Sequence, residues 1–137
     1  MAFSIVQHVA TDSAVNSSTV GATVSPTGAG NLLIAIPFCL DTGRTVSGVS
    51  DGTNAFTQAT NAQATNSLDS PFAVLDAWYI LSSASGKTTI TATFTGSAGT
   101  FTKGLIVYEV TGHPAALMSQ ATRTIRAPCR SWRPVRP

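Results

Sequence analysis

Residues 88–96, TTITATFTG, carry the feature that most limits what this chain can fold into. Ile90, Ala92 and Phe94 take every second position, and threonines fill the positions between. Successive side chains of a strand point to opposite faces, so a period of two describes a strand with one dry and one wet face. A helix needs a period near 3.6. The same period recurs in residues 3–9 (FSIVQHV), 18–26 (STVGATVSP), 45–50 (TVSGVS), 55–60 (AFTQAT) and 101–112 (FTKGLIVYEVTG). Residues 71–83, PFAVLDAWYILSS, form the longest strand candidate. Residues 31–40, NLLIAIPFCL, are apolar on both faces, as a central strand would be, and Pro37 inside them predicts a bulge or an early end. Gly, Pro, Asn and Asp mark turns between these segments, and residues 61–70 read as a polar loop. The expectation is an all-β chain: about eight strands in an antiparallel two-sheet β-sandwich, jelly-roll or immunoglobulin-like.

Composition agrees with that expectation. Charged residues are 10% of the 137, against about 25% in ordinary globular chains. Twenty threonines and fifteen serines take over the polar surface, and Thr favours strand geometry. No segment approaches the ~20 apolar residues that cross a bilayer, so no membrane partner is expected. The start, MAFSIVQHVATDS, lacks the basic residues and apolar run of a signal peptide. That leaves a module of a longer secreted protein, a phage protein or a cytoplasmic one.

The formal charge of +2 divides unevenly. Residues 1–117 hold three basic and six acidic residues, whereas residues 118–137 hold Arg123, Arg126, Arg130, Arg133 and Arg136 with no acid. The chain therefore reads as a β-sandwich module over 1–117 and an Arg/Pro-rich tail over 118–137. The tail can bind an acidic surface, be a plain terminus, or be non-native, since its composition resembles a GC-rich gene in a shifted frame; the last is preferred. Only Trp132 interleaves with the arginines, which points away from nucleic acid. Cys39 and Cys129 have no metal-binding spacing, and a disulfide between them is left open.

Gly48-Val49-Ser50-Asp51-Gly52 fits the G-x-S-x-G pattern of a serine hydrolase elbow. That elbow runs strand, sharp turn, helix, and the residues after Ser50, TNAFTQAT among them, do not start a helix. Asp-Gly is a strong turn dipeptide, so the expectation is a hairpin with Asp51 accepting backbone N–H bonds across it. Catalysis at Ser50 is the third-ranked function.

Val49, Asp51, Asn54, Phe56 and Thr57, then Trp78 and Tyr79, then residues 89–94 (TITATF), then 109–112 (EVTG) form a set. Over residues 3–114 it resembles β-sandwich modules repeated in large extracellular bacterial proteins and some phage-encoded ones. The resemblance implies a sandwich with an adhesive or carbohydrate-binding role, placed outside the cell or on its surface. Such modules continue with more strand after residue 117, where this chain changes composition.

Within that frame Trp78 and Asp76 are the ligand-binding candidates. If Leu75 and Tyr79 face the core, Trp78 can stack a sugar ring while the Asp76 carboxylate accepts hydroxyl protons. The competing account makes Trp78 a core aromatic. Asp41, Asp51, Asp69 and Asp76 are the carboxylates available to calcium, yet none lies in a D-x-D-x-D spacing, and no cofactor is expected. A polysaccharide-binding module is thus the first expectation. The second is a structural or assembly subunit, such as a virion or fibre protein, forming homo-oligomers through open strand edges.

Overall fold

The computed structural model describes residues 3–41, 43–66 and 73–112. The tail, Cys129, His113 and Asp69 lie outside these residues, as does the 117/118 boundary. The described residues form ten strands and no helix. These are β1 (Ser4–Ser13), β2 (Thr19–Thr23), β3 (Leu32–Leu40), β4 (Val46–Ser50), β5 (Thr57–Gln58), β6 (Ala64–Asn66), β7 (Ala73–Leu75), β8 (Trp78–Ile80), β9 (Thr89–Phe94) and β10 (Thr102–Thr111). Seven make one antiparallel sheet in the order β1-β10-β3-β7-β6, with β8 also pairing β3 and β5 pairing β8. The other three make a smaller sheet, β2-β9-β4.

The period of two explains how the sheets meet. Ile90, Ala92 and Phe94 of β9 are buried, and Thr89 is exposed. They pack with Val20 and Ala22 of β2 against Leu33, Ala35, Leu105 and Val107 of the large sheet, in one shared core. The architecture is therefore two-layered and sandwich-like.

The strand expectations need three corrections. The first concerns residues 71–83, where two short strands, β7 and β8, replace one long one. The pairings Phe38↔Leu75 and Ala35↔Trp78 keep a single register, so the gap at Asp76 and Ala77 lies opposite Ile36 and Pro37. Pro37 has no N–H to donate. Its carbonyl still accepts from Asp76 N at 3.0 Å, so this backbone faces β7 and β8 rather than β10. The β3–β10 ladder consequently runs through Pro37↔Leu105 unbroken. The expected bulge or early end in β3 is displaced onto its neighbour.

Second, the hairpin after β4 closes only at its tip. Ser50 bridges Ala55, and Phe56 N donates to Val49 O at 2.8 Å. The chain then crosses to the large sheet, where β5 pairs β8. Third, part of the expected 61–70 loop is β6, which pairs β7.

β1 and β3 flank β10 closely because Gly104 has no side chain. A Cβ there would meet the Phe38 ring and lie 2.9 Å from Thr11 O, a backbone atom that cannot swing away. Gly104→Ala is expected to cost about 1–3 kcal/mol through overpacking. Urea unfolding of the full chain measures this, and an unchanged midpoint would count against the packing described.

Candidate functional site

Ser50 ends β4 and is followed by a turn. Asp51 is 6% exposed, and its Oδ1 accepts from the backbone N–H of Thr53 (2.9 Å) and Asn54 (2.7 Å). Its Oδ2 accepts from Asn54 Nδ2 at 3.0 Å. Gly52 sits at φ 87°, which glycine adopts without strain. Burial raises the Asp51 carboxyl, but the Asn54 side chain, the two N–H groups and the charge of Lys87 outweigh it and hold the group below its ordinary value. Asp51 is thus the cap of a turn, as its place before Gly52 implied. Ser50 lies in the small sheet, while His8 stacks on Tyr108 within the large one. The geometry brings no base to the serine among the described residues.

The Trp78 and Asp76 pair takes the opposite phase from the one that a sugar platform needs. Val74 is 2% exposed and Asp76 0%, whereas Leu75 is 47% exposed. Val74, Asp76 and Trp78 therefore face inward, and Leu75 and Tyr79 face outward. Asp76 Oδ2 accepts from Trp78 Nε1 at 2.9 Å and from Gln58 Nε2 at 2.7 Å, and Oδ1 accepts from Ala77 N at 2.8 Å. These donors compensate the burial of the carboxylate, which would otherwise be strongly unfavourable. They also consume its acceptors and the indole N–H, and Trp78 packs against the core. Asp76 and Trp78 are brought together as expected, but as a buried hydrogen-bonded pair.

The remaining aspartates do not converge. Asp41 pairs with Arg44, Asp51 caps its turn, and Asp76 is held by Trp78. No group of three metal-ligating side chains occurs among the described residues.

β10 holds two buried charges: Glu109, which the sequence marks only as part of the 109–112 set, and Lys103, which no motif marks. Its inward row is Lys103, Leu105, Val107 and Glu109, apolar at the middle and charged at both ends. Lys103 is 0% exposed; its Nζ donates to Val15 O at 2.8 Å and lies 4.2 Å from the Phe101 ring centroid. Burial, and then the nearby Arg44 charge, push the Lys103 amine below its usual value. Glu109 is 1% exposed. Its Oε1 accepts from Gly28 N (2.7 Å) and Asn31 Nδ2 (2.6 Å), and its Oε2 accepts from Gln7 Nε2 (2.6 Å). Burial raises this carboxyl, and hydrogen bonds from Gln7, Asn31 and Gly28 outweigh it, leaving the group below its usual value. The available signal was phase: both residues fall on the same alternation as Leu105 and Val107.

The outward side of the large sheet is the opposite case. Register places Ile5, Val110 and Leu32 in one row, His8, Tyr108, Ile34 and Tyr79 in another, and Ile106 beside Ile36. Ile5 is 61% exposed, Leu75 47% and Leu40 37%. Among outward positions of β1, β10, β3, β7 and β8, only Asp12 is acidic or basic apart from His8. All ten described strands belong to the two sheets, and the small sheet covers the other side, so no described strand lies over this face. Between β3 and β8 the face dips into a hollow of ≈ 130 Å³ lined by Leu32, Ile34, Ala59, Ala77, Trp78 and Tyr79.

The buried carboxylate makes stability depend on acid. The folded pKa of Glu109 lies below its unfolded value of about 4.3, so its stabilisation is whole above that pH and disappears as pH falls through the folded value. Glu109→Gln keeps an acceptor for Gly28 and Asn31 but turns an amide toward Gln7. It is expected to cost about 1–3 kcal/mol at pH 7 and to flatten the stability curve on the acid side. Denaturant titrations from pH 7 to pH 2 measure both; an unchanged acid slope would remove Glu109 from this role. No protein-family model, curated protein or solved structure matches this chain.

Proposed function

We propose that this chain is a non-catalytic module that works by association. It acts as a structural or assembly subunit, of an extracellular protein or a virion, with the outer face of the large sheet as its contact surface. The observation that carries this is the apolar outer face, over which no described strand lies. Soluble monomers rarely expose a contiguous apolar patch larger than a few hundred Å², and such patches mark interaction surfaces. Charge depletion with aromatic and aliphatic enrichment is also the composition of an interface centre.

Strand order supports the same reading. The chain alternates between sheets, with β1 and β3 in the large one, β2 and β4 in the small one, and β8, β9 and β10 alternating again. That wrapping is the one expected of a jelly roll, a fold used by capsid and lectin domains. Fold alone does not choose between those uses. The hollow favours association over sugar binding, because its lining side chains are apolar apart from the tips of Trp78 and Tyr79, and a sugar site needs several convergent polar groups.

Hydrophobic-interaction chromatography of the dilute full chain tests this without presuming a partner. Ile36→Thr combined with Ile106→Thr keeps β-branched side chains in the strands and should leave the thermal midpoint within a few degrees. The wild type is expected to elute at lower salt than this variant. Co-elution of the two, or retention of the wild type on insoluble polysaccharide that Trp78→Phe abolishes, would overturn the proposal.

A further inference from the structure

We infer that the free edge of β1 pairs with β1 of a second copy of this chain, antiparallel, about a two-fold axis that crosses the sheet at Ala10. This goes beyond the reading of the outer face and uses a different surface of the molecule.

β1 pairs with β10 on one side, and no described strand pairs with its other side. The backbone N–H and C=O groups along such an edge are a template for another extended chain. Folded proteins blunt their edges by keeping them short or by placing lysine or proline on them. The other edge strands here are short: β2 and β4 have five residues, β6 three and β5 two. β1 has ten residues with neither lysine nor proline, and its one bulge lies near its start, between Ile5 and Gln7. Its inward row, Gln7, Val9, Thr11 and Ser13, is only half-buried, whereas the register partners of that row on β10 are buried. Phe3, Ile5, Val6 and Val15, in or beside this strand, are apolar and each more than half exposed.

The order of residues along the strand selects a second copy over another extended peptide. Antiparallel pairing about Ala10 sets each residue opposite the one equally far from Ala10 in the mate. His8 then meets Asp12 of the second copy, and Asp12 meets its His8. These are the only ionisable side chains of β1, and both point outward. An imidazole N–H donates to a carboxylate in either protonation state, and opposite charges directly across two strands stabilise the pair. On the inward row Val9 meets Thr11 twice, β-branched against β-branched, and Gln7 meets Ser13. The exposed Ile5 comes beside the exposed Val15, just past the end of β1 in the mate. A centre one residue away, at Val9 or Thr11, would leave His8 and Asp12 without each other.

The axis stands normal to the sheet, so one operation makes every contact twice and the dimer closes. Both outer faces stay on one side and both small sheets on the other. The large sheet thereby becomes continuous across the two copies, and its apolar face doubles in width.

Sedimentation velocity of the full chain from ~1 to ~300 μM tests this, and a monomer–dimer equilibrium is expected. His8→Asp sets like charges opposite each other at two places and should weaken the dimer by ~10-fold or more. Adding Asp12→Lys to His8→Asp should restore it, which a merely destabilised fold would not do. Register is read by mild oxidation in a Cys129→Ser background. Ala10→Cys should give a covalent dimer, because residues directly opposite in an antiparallel pair have Cα atoms about 4.5–5.5 Å apart, within disulfide reach. His8→Cys should not, because its two copies would lie about 13 Å apart along the strands. A monomer at every concentration, no rescue of His8→Asp by Asp12→Lys, or equal cross-linking through His8→Cys and Ala10→Cys overturns the edge dimer. Chromatographic retention that depends on Ile36 and Ile106 in a chain that stays monomeric would remove the edge and leave the outer face as the contact surface.

Discussion

A carboxylate that has left water must be met by donors, and the way Glu109 is met organises one end of the molecule. Its donors come from β1, through Gln7, and from the segment joining β2 to β3, through Gly28 and Asn31. Gln7 also exchanges two hydrogen bonds with the Ser25 backbone. One buried charge therefore ties both neighbours of β10, and the exit of β2, to a single point. Removing a partner from such a group strands polar atoms in a dry interior, which costs more than the bond itself contributes. Lys103 does comparable work at the other end by holding Val15 and facing the Phe101 ring, so β10 is fixed at both ends and apolar between them.

Between those ends, backbone chemistry draws the outline of the large sheet. A proline in a central strand removes one donor, and the sheet tolerates it where the missing bond falls on a strand that can stop. Pro37 turns its backbone toward β7 and β8, and they stop there. Asp76, at the gap, then receives the Trp78 indole, the Gln58 amide and the N–H of Ala77. The interruption and the buried Asp76–Trp78 pair thus lie together, opposite the one nitrogen of β3 that cannot donate.

Much of the fold was legible as alternation. Residues 88–96 gave β9 with its faces correctly assigned, because threonine and apolar residues differ sharply at successive positions. The turn at Asp51 and Gly52 was legible for the same local reason: both residue types act on their own backbone. The face of residues 71–83 was not legible. Val74, Asp76 and Trp78 against Leu75, Ala77 and Tyr79 offers similar apolarity on either side, so only pairing with β3 decides which side is inside. The outer surface of β3 was concealed by the same ambiguity. A strand apolar on both faces reads as central in a covered sheet, and here Ile34 and Ile36 point to the side that no described strand covers. The crossing after Phe56 depends on contacts far along the chain and left no local mark.

The pairing of β1 with β10 bears on how the module transmits force. Ser4 at the beginning of β1 is the register partner of Thr111 at the end of β10, so the chain enters and leaves side by side at one corner. Tension applied through the backbone on both sides would peel this ladder one hydrogen bond after another, instead of shearing all of them together. A domain strung in series would yield early under such tension. One anchored by the broad face of its sheet would bear it across many contacts at once, which suits this arrangement of strands to lateral assembly better than to a tether.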